Sequence, residues 1–304
     1  MHGKNPLQVQ FAPHNQRLCQ TPLVLIHDGG GTTFGYFILG DLQRDVWAVH
    51  NPYFLTGEPW DGGIDGMAQH YVGLLQKAGI TGNILLGGWS LGGYLALTMA
   101  HLLASKPSSA IRVVGLLLID SPYHTPTRRP ETSYCDPDIK GLPDLVRKSF
   151  SNCTEMLREW ELPRWDGPAC GGRDVTFKVS EKSFVLRTGQ ILHEPLDDAG
   201  HIIDNSSSQV ATLSPRSVTP PPAVLVRCVN RSPSEKPSDE PCHVDLFRDE
   251  PLLGWDRNYP DFIKAVFETD SHHYEAFEFA KIAQTTDTVV LGLEVLDSLN
   301  VSTG

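Results

Sequence analysis

Apolar residues in this chain alternate between short continuous runs and helically spaced sets. Pro22-Leu23-Val24-Leu25-Ile26 is a brief apolar run bounded by turn formers, the pattern of a buried strand. Val46-Trp47-Ala48-Val49, ended by His50-Asn51-Pro52, is a second. Ile64, Met67, Ala68, Tyr71, Leu74, Leu75 and Ala78 then recur at helical spacing, with Gly79 as the stop. Ile84-Leu85-Leu86 returns to strand, and Leu95, Met99, Leu102 and Leu103 mark one face of a following helix. Residues 111–119 are again continuously apolar, closed by Asp120-Ser121-Pro122. Strands and helices in strict alternation predict an α/β fold, a mostly parallel sheet with helices on both faces.

The alternation breaks after residue 122. Leu145, Val146, Phe150, Cys153, Met156, Leu157 and Trp160 fit one amphipathic helix, opened by Pro143-Asp144 and closed before Pro163. Mixed polar sequence follows, and residues 205–222 are rich in Ser, Thr and Pro, as in a mobile tether. Strand pattern resumes at Ala223-Val224-Leu225-Val226-Arg227-Cys228. Residues 229–261 read as polar loop, 262–267 as the last strand, and Val289, Leu291, Leu293, Val295 and Leu296 as a terminal helix. Residues 1–122 and 223–304 are therefore expected to form one core, with 123–222 inserted between its strands.

One stretch carries chemistry. Gly88-Trp89-Ser90-Leu91-Gly92 lies between the apolar run at 84–86 and the helix after it, the G-x-S-x-G context of a nucleophile elbow. The serine must sit on a tight, strained turn to project its hydroxyl above the sheet edge. Gly88 and Gly92 have no Cβ to clash where strand and helix approach. The backbone N–H of Leu91, at the helix start, is then free to face an oxyanion. A second donor is expected from the loop after the first strong strand, at Asp28 or Gly29 of His27-Asp28-Gly29-Gly30-Gly31. His27 is expected to shape that pocket and not to act as base.

A serine hydroxyl needs a base to take its proton and an acid to orient the base. Ligands gather at the carboxyl ends of the strands in such sheets. Asp120 ends the strand after the elbow, and His272-His273 follows the last strand. Ser90, Asp120, His273 obey the Ser…Asp…His chain order of the α/β-hydrolase fold. Asp239, Asp245, Asp249 and Asp256 are rival acids, less favoured because they lie well past the strand at 223–228. The residues alone leave His272 and His273 open as base.

Charge and composition narrow the setting. The chain of 304 residues carries a net charge of −11 and a pI near 5.5, which argues against nucleic-acid or anionic-membrane partners. The amino terminus lacks a signal-peptide core, and no apolar run approaches membrane-spanning length. The six cysteines are scattered without metal-type pairing, as expected of free thiols in a reducing, cytoplasmic compartment. No metal or organic cofactor is implied.

With these residues in place the sequence resembles the thioesterases of polyketide and nonribosomal peptide biosynthesis, particularly fungal ones. The resemblance is carried by PLVLIHDGGGTTFGYF (22–37), GGWSLGGYLAL (87–97), GLLLIDSP (115–122) and SHHYEAF (271–277). It implies that Asp120 is the acid. Setting Tyr274 on the aromatic position of the family's histidine motif makes His273 the base. Ser271 and Ala276 depart from that motif, which keeps His272 in play. It further implies that 123–222 is a lid over an acyl chamber, and that the partner is an acyl carrier protein or its phosphopantetheinyl thioester, with a small-molecule acyl substrate. Arg128, Arg129, Arg147, Lys148, Arg158 and Arg164 of that insertion are candidate carrier contacts, with a solvated face as the plainer reading. An oxygen-ester hydrolase or lactonase, and a non-catalytic binding protein of the same fold, are the rivals.

Overall fold

The computed structural model describes residues 4–13, 20–106, 108–126, 134–196, 198–205, 218–234 and 240–301. The first half follows the alternation read from the sequence. It runs β1 (Leu7–Gln10), β2 (Leu23–Ile26), α1 (Phe34–Phe37), β3 (Val46–Val49), α2 (Gly63–Lys77), β4 (Gly82–Trp89), α3 (Leu91–Ala104) and β5 (Ile111–Ile119). There follow α4 (Asp144–Leu157), β6 (Val175–Val179), β7 (Lys182–Leu186), β8 (Gln190–Glu194) and β9 (His201–Asp204). The chain closes with β10 (Ala223–Asn230), β11 (Ile263–His272), α5 (Ile282–Ser298) and β12 (Asn300–Val301).

The main sheet has the order β1-β3-β2-β4-β5-β10-β11-β8-β9. Pairings from β3 through β8 are parallel, and β1 and β9 are antiparallel edges. Period-two side-chain alternation sorts the continuous apolar runs onto two faces. Val24, Ile26, Ile84, Leu86, Leu116 and Leu118 join α2 and α3 in one core. Leu23, Leu25, Leu85, Leu117, Ile119 and Val224 join α5 in the other. Strands buried on both faces read as unbroken apolar stretches, which is why β2, β4 and β5 stood out in the sequence.

The expected insertion at 123–222 divides in two. α4 lies off the sheet, but β8 pairs with β11 and β9 pairs with β8, so residues 190–204 extend the main sheet. A small sheet, β12-β6-β7, packs beside α5. The period in β8 and β9 was masked by polar residues such as His193, Glu194 and His201, as suits a half-exposed sheet edge. Part of the expected tether, 206–217, lies outside the described residues. The stretch 229–261 is less of a surface loop than its polarity suggested. It turns through two short 3₁₀ segments, His243–Asp245 and Trp255–Arg257, and buries Leu252, Leu253, Trp255 and Tyr259. β11 runs on to His272, past its expected end at 267, because Thr269 and Ser271 are buried polar residues that carry no apolar signal.

Candidate active site

The turn after β4 is built from close backbone approach. Ser90 adopts φ 56°, ψ −120°, a strained conformation for a side-chain-bearing residue. A Cβ on Gly88 would lie 2.5 Å from the carbonyl oxygen of Ile26, and one on Gly92 only 2.3 Å from it. The missing side chains let α3 and the end of β2 touch, which sets Leu91 beside the loop of Asp28 and Gly29. Ser121 holds the turn from below, its hydroxyl donating to the Ser90 carbonyl at 2.7 Å. Tyr36 bridges the two strand ends. Its hydroxyl donates to Ile26 O at 2.6 Å and accepts from the Trp89 N–H at 2.9 Å.

Beside this turn, the end of β11 brings His273 in. Its Nε2 lies 2.9 Å from Ser90 Oγ and its Nδ1 lies 2.8 Å from Asp120 Oδ2. A carboxylate only accepts, so Nδ1 carries the proton and Nε2 presents a lone pair to the serine hydroxyl. His272 turns away: its Nε2 lies 3.3 Å from Glu275, and its Nδ1 accepts the Tyr274 N–H. Strand alternation explains the difference, since successive side chains leave a strand in opposite directions. Ser90, Asp120 and His273 are thus brought together, although 153 and 183 positions separate His273 from the other two.

The four rival acids go elsewhere. Asp245 binds Arg248, Asp249 pairs with Arg231, Asp256 is partly buried in the 255–257 turn, and Asp239 lies outside the described residues. Asp120 itself is fully buried. Burial opposes its ionisation. The charge of Arg248 and hydrogen bonds from His273 and Arg248 outweigh that, holding the carboxyl well below the usual carboxylate range.

The glycine loop is braced from behind. His27 Nδ1 donates to the Asp28 carbonyl at 2.6 Å, and Nε2 accepts from Tyr71 Oη at 2.6 Å. Burial lowers its pKa to about 4, so it sits neutral between these two partners. Burial pushes the Asp28 carboxyl up to about 6, against the Gly30 N–H and the nearby His273. α4 covers this loop: a Cβ on Gly29 would lie 3.0 Å from the Phe150 ring and 3.3 Å from Cys153 Sγ. Burial, with Asp28 adding to it, pushes the Cys153 thiol up to about 12, so this neighbouring sulfur is no thiolate at neutral pH. A cavity of about 210 Å³ opens beside the triad between Asp28, Phe34, Trp89, Tyr274, Phe277 and Glu278. A larger one, about 480 Å³, lies beyond Tyr123 and His124 under residues 161–167.

The thioesterase domain family matches residues 21–159, from β2 to the end of α4. Similarity to curated relatives extends further. A probable thioesterase of Curvularia clavata, KK1J, is 47% identical over 97% of this chain and 96% of its own. A probable thioesterase of Purpureocillium lilacinum, lcsE, is 44% identical over 97% of each. The chain belongs to the thioesterase family. Among solved structures, the NocB thioesterase domain from the nocardicin cluster superposes with a TM-score of 0.54 at 18% identity, covering 90% of this chain and 93% of that one, a likeness of fold.

Several parts of this thioesterase's site were not found by sequence reasoning. Arg248 lies in a run of mixed charge, Phe247-Arg248-Asp249-Glu250, that looks like solvated surface. The only hint was chemical: a carboxylate at a buried strand end needs a cation. Tyr36 and Ser121 fell within recognised motifs, but nothing in their spacing gave them a job. Of the candidate carrier contacts, Arg147, Lys148, Arg158 and Arg164 face solvent, and the three arginines each pair locally with an acid three positions away. Arg128 and Arg129 lie outside the described residues. On the last turns of α5, Asp297 is bound to Arg44 and Ser298 Oγ to the backbone of Lys178. None of the described residues form a helix long and apolar enough to cross a membrane.

Proposed function

We propose that this thioesterase releases an acyl chain from a carrier-protein phosphopantetheine thioester through a Ser90 acyl-enzyme, in polyketide or nonribosomal peptide metabolism. The observation that carries the reading is the hydrogen-bonded line Ser90 Oγ, His273 Nε2, His273 Nδ1, Asp120 Oδ2, with contacts of 2.9 and 2.8 Å. Ser90 Oγ attacks the thioester carbon while its proton passes to His273 Nε2. Asp120 orients the ring and stabilises the imidazolium. The tetrahedral oxyanion is held by the Leu91 N–H and one of the Asp28 or Gly29 N–H groups. Collapse expels the pantetheine sulfur, which takes the proton from His273 and leaves Ser90 esterified. Water, or a nucleophile within the acyl chain, then attacks the ester, giving a free acid or a ring.

The substrate class draws support from similarity. A nonribosomal peptide synthetase of Aspergillus flavus, imqB, is 29% identical over 93% of this chain and 8% of that protein. α4 with the segment to residue 167 is the lid in this reading: α4 packs on the glycine loop, and residues 161–167 line the larger cavity. Closing such a site excludes water and favours an internal nucleophile.

Intact mass after mixing the protein with an acyl-N-acetylcysteamine thioester tests the proposal. An acyl increment and thiol release in wild type, both lost in Ser90→Ala, are expected. Removal of a serine nucleophile typically costs about 10⁶ in kcat. Thiol release that persists undiminished in Ser90→Ala would sink it. A matched oxygen ester cleaved faster than the thioester would move the substrate class and spare the nucleophile.

A further inference from the structure

The acid of this triad does not stand alone. Arg248 is buried, and each of its five N–H groups has an acceptor. Nη1 donates to Asp120 Oδ1 at 2.6 Å and to the Cys228 carbonyl at 2.6 Å. Nη2 donates to Asp120 Oδ2 at 2.9 Å and to the Val244 carbonyl at 3.3 Å. Nε donates to Asp245 Oδ1 at 2.8 Å. Asp120 is equally saturated, since Oδ1 also accepts the Cys228 N–H at 2.9 Å and Oδ2 accepts His273. The guanidinium therefore grips both oxygens of the acid in fork geometry and shares one of them with the base.

A guanidinium so close to the triad acid is not neutral to the chemistry. It lowers the energy of the buried carboxylate, and it weakens the field by which that carboxylate stabilises an imidazolium. Asp245 offsets the second effect. Two carboxylates and one guanidinium leave one net negative charge behind His273. Asp245 is itself buried and pinned by the Ser232 N–H at 2.7 Å. We propose that Arg248 is the positioning residue of this active site, fixing Asp120 as an ionised acceptor for His273, with Asp245 restoring the negative charge that Arg248 removes. This rests on the serine-triad reading above and adds two residues to it.

Charged or titratable groups facing His273 come from three segments. They are Asp120 at the end of β5, Asp28 from the loop after β2, and the 243–248 segment, which carries His243, Asp245 and Arg248. Tyr274 packs on its ring at 4.9 Å. Variants at 245 and 248 alter only the pair behind Asp120.

The test is the pH dependence of thioester cleavage in Arg248→Lys, Arg248→Gln and Asp245→Asn, with thermal melts to establish folding. Loss of the fork lets Asp120 and the ring drift, and a misplacement near 1 Å costs about 10² in rate. Arg248→Gln should lose about 10² in kcat with KM little changed, and Arg248→Lys should recover at least tenfold of that. The acidic limb of kcat/KM should move to higher pH in Arg248→Gln and to lower pH in Asp245→Asn, each by about one unit. Coincident limbs in all folded variants, or Lys and Gln equally impaired, would overturn the proposal and leave Arg248 as packing. If Arg248→Gln does not fold, Asp245→Asn decides alone: a limb moved downward supports the assignment, and an unmoved one refutes it. Ser90→Ala in the same assay keeps the two readings apart. Activity surviving there removes the serine reading, whereas flat limbs with a dead Ser90→Ala remove only the role of Arg248.

Discussion

Replacing Gly92 by alanine should inactivate the enzyme while leaving most of the fold in place. The added Cβ would stand 2.3 Å from Ile26 O and 3.0 Å from His27 O. Both obstacles are backbone of β2 and its loop, so no side-chain rotation relieves them. Ordinary carbon–oxygen contact needs roughly 3.3 Å, so α3 and β2 must separate by about 1 Å. That displacement lies between the Leu91 amide on α3 and the Asp28 and Gly29 amides after β2, the pair proposed to hold the oxyanion. Overpacking of this kind costs about 1–3 kcal/mol of stability. A displaced oxyanion donor costs about 10²–10³ in kcat. Thiol release from an acyl-N-acetylcysteamine, followed with a chromogenic disulfide, reads the rate, and circular dichroism reads the fold. Gly66→Ala is the control: nothing lies within 4 Å of its Cβ, and it sits inside α2. It should gain about 0.5–1 kcal/mol and keep full activity. A folded Gly92→Ala enzyme within threefold of wild-type kcat would refute the argument that this contact sets the oxyanion geometry.

Other expectations follow from the same geometry. His273→Ala should lose about 10⁶ in kcat, whereas His272→Ala, facing Glu275, should stay within a few-fold; equal losses in steady-state assays would contradict the assignment. His27 has a folded pKa depressed to about 4 from 6.5, so its neutral form stabilises the fold above pH 6.5 and that contribution is lost as pH falls through 4. The span is worth about 3 kcal/mol. Replacing His27 by Gln should flatten acid denaturation between pH 6.5 and 4, measured by urea titration at each pH; an unchanged pH profile would argue that His27 charges freely in the fold. Arg44→Met should cost about 2 kcal/mol by stranding Asp297, less than a fully sealed pair because Asp297 is part-exposed. Melting temperature should fall with kcat intact, and a loss of kcat would mean that the β3 end of the sheet reports to the site.

Most of the first half of the fold was legible because β2, β4 and β5 are buried on both faces and α2 on one, giving two distinct apolar periods. Ser90 and the glycine loop were legible for the same reason, since a strand-turn-helix leaves glycines where backbones meet. Legibility failed where burial is polar. β8 and β9 lie at a sheet edge, and their His and Glu residues hide the period. The end of β11 carries Thr269 and Ser271 at full burial, so the strand looked as though it stopped before His272. That shortened strand is also why two adjacent histidines could not be separated: the choice depends on which side of the last residue pair faces the sheet. Arg248 shows the limit most plainly, because a solvated arginine and one with five buried acceptors are the same letter in the sequence.

The interleaving of strands has a consequence for when the enzyme becomes active. β10 and β11, the strands that feed Cys228 N–H to Asp120 and lead into His273, are made well after β5 and the serine turn. A chain growing from its amino end can form β2 through β5 and the serine turn while the ribosome is still more than a hundred residues from the histidine. During that interval Ser90 has no base, and Asp120, although made, lacks the Cys228 N–H and the Arg248 guanidinium that hold it. Domains fold as units and long-range pairing is slow, so on the proposed serine mechanism the nascent protein does not attack thioesters around it, and activity is expected to appear when the sheet is complete.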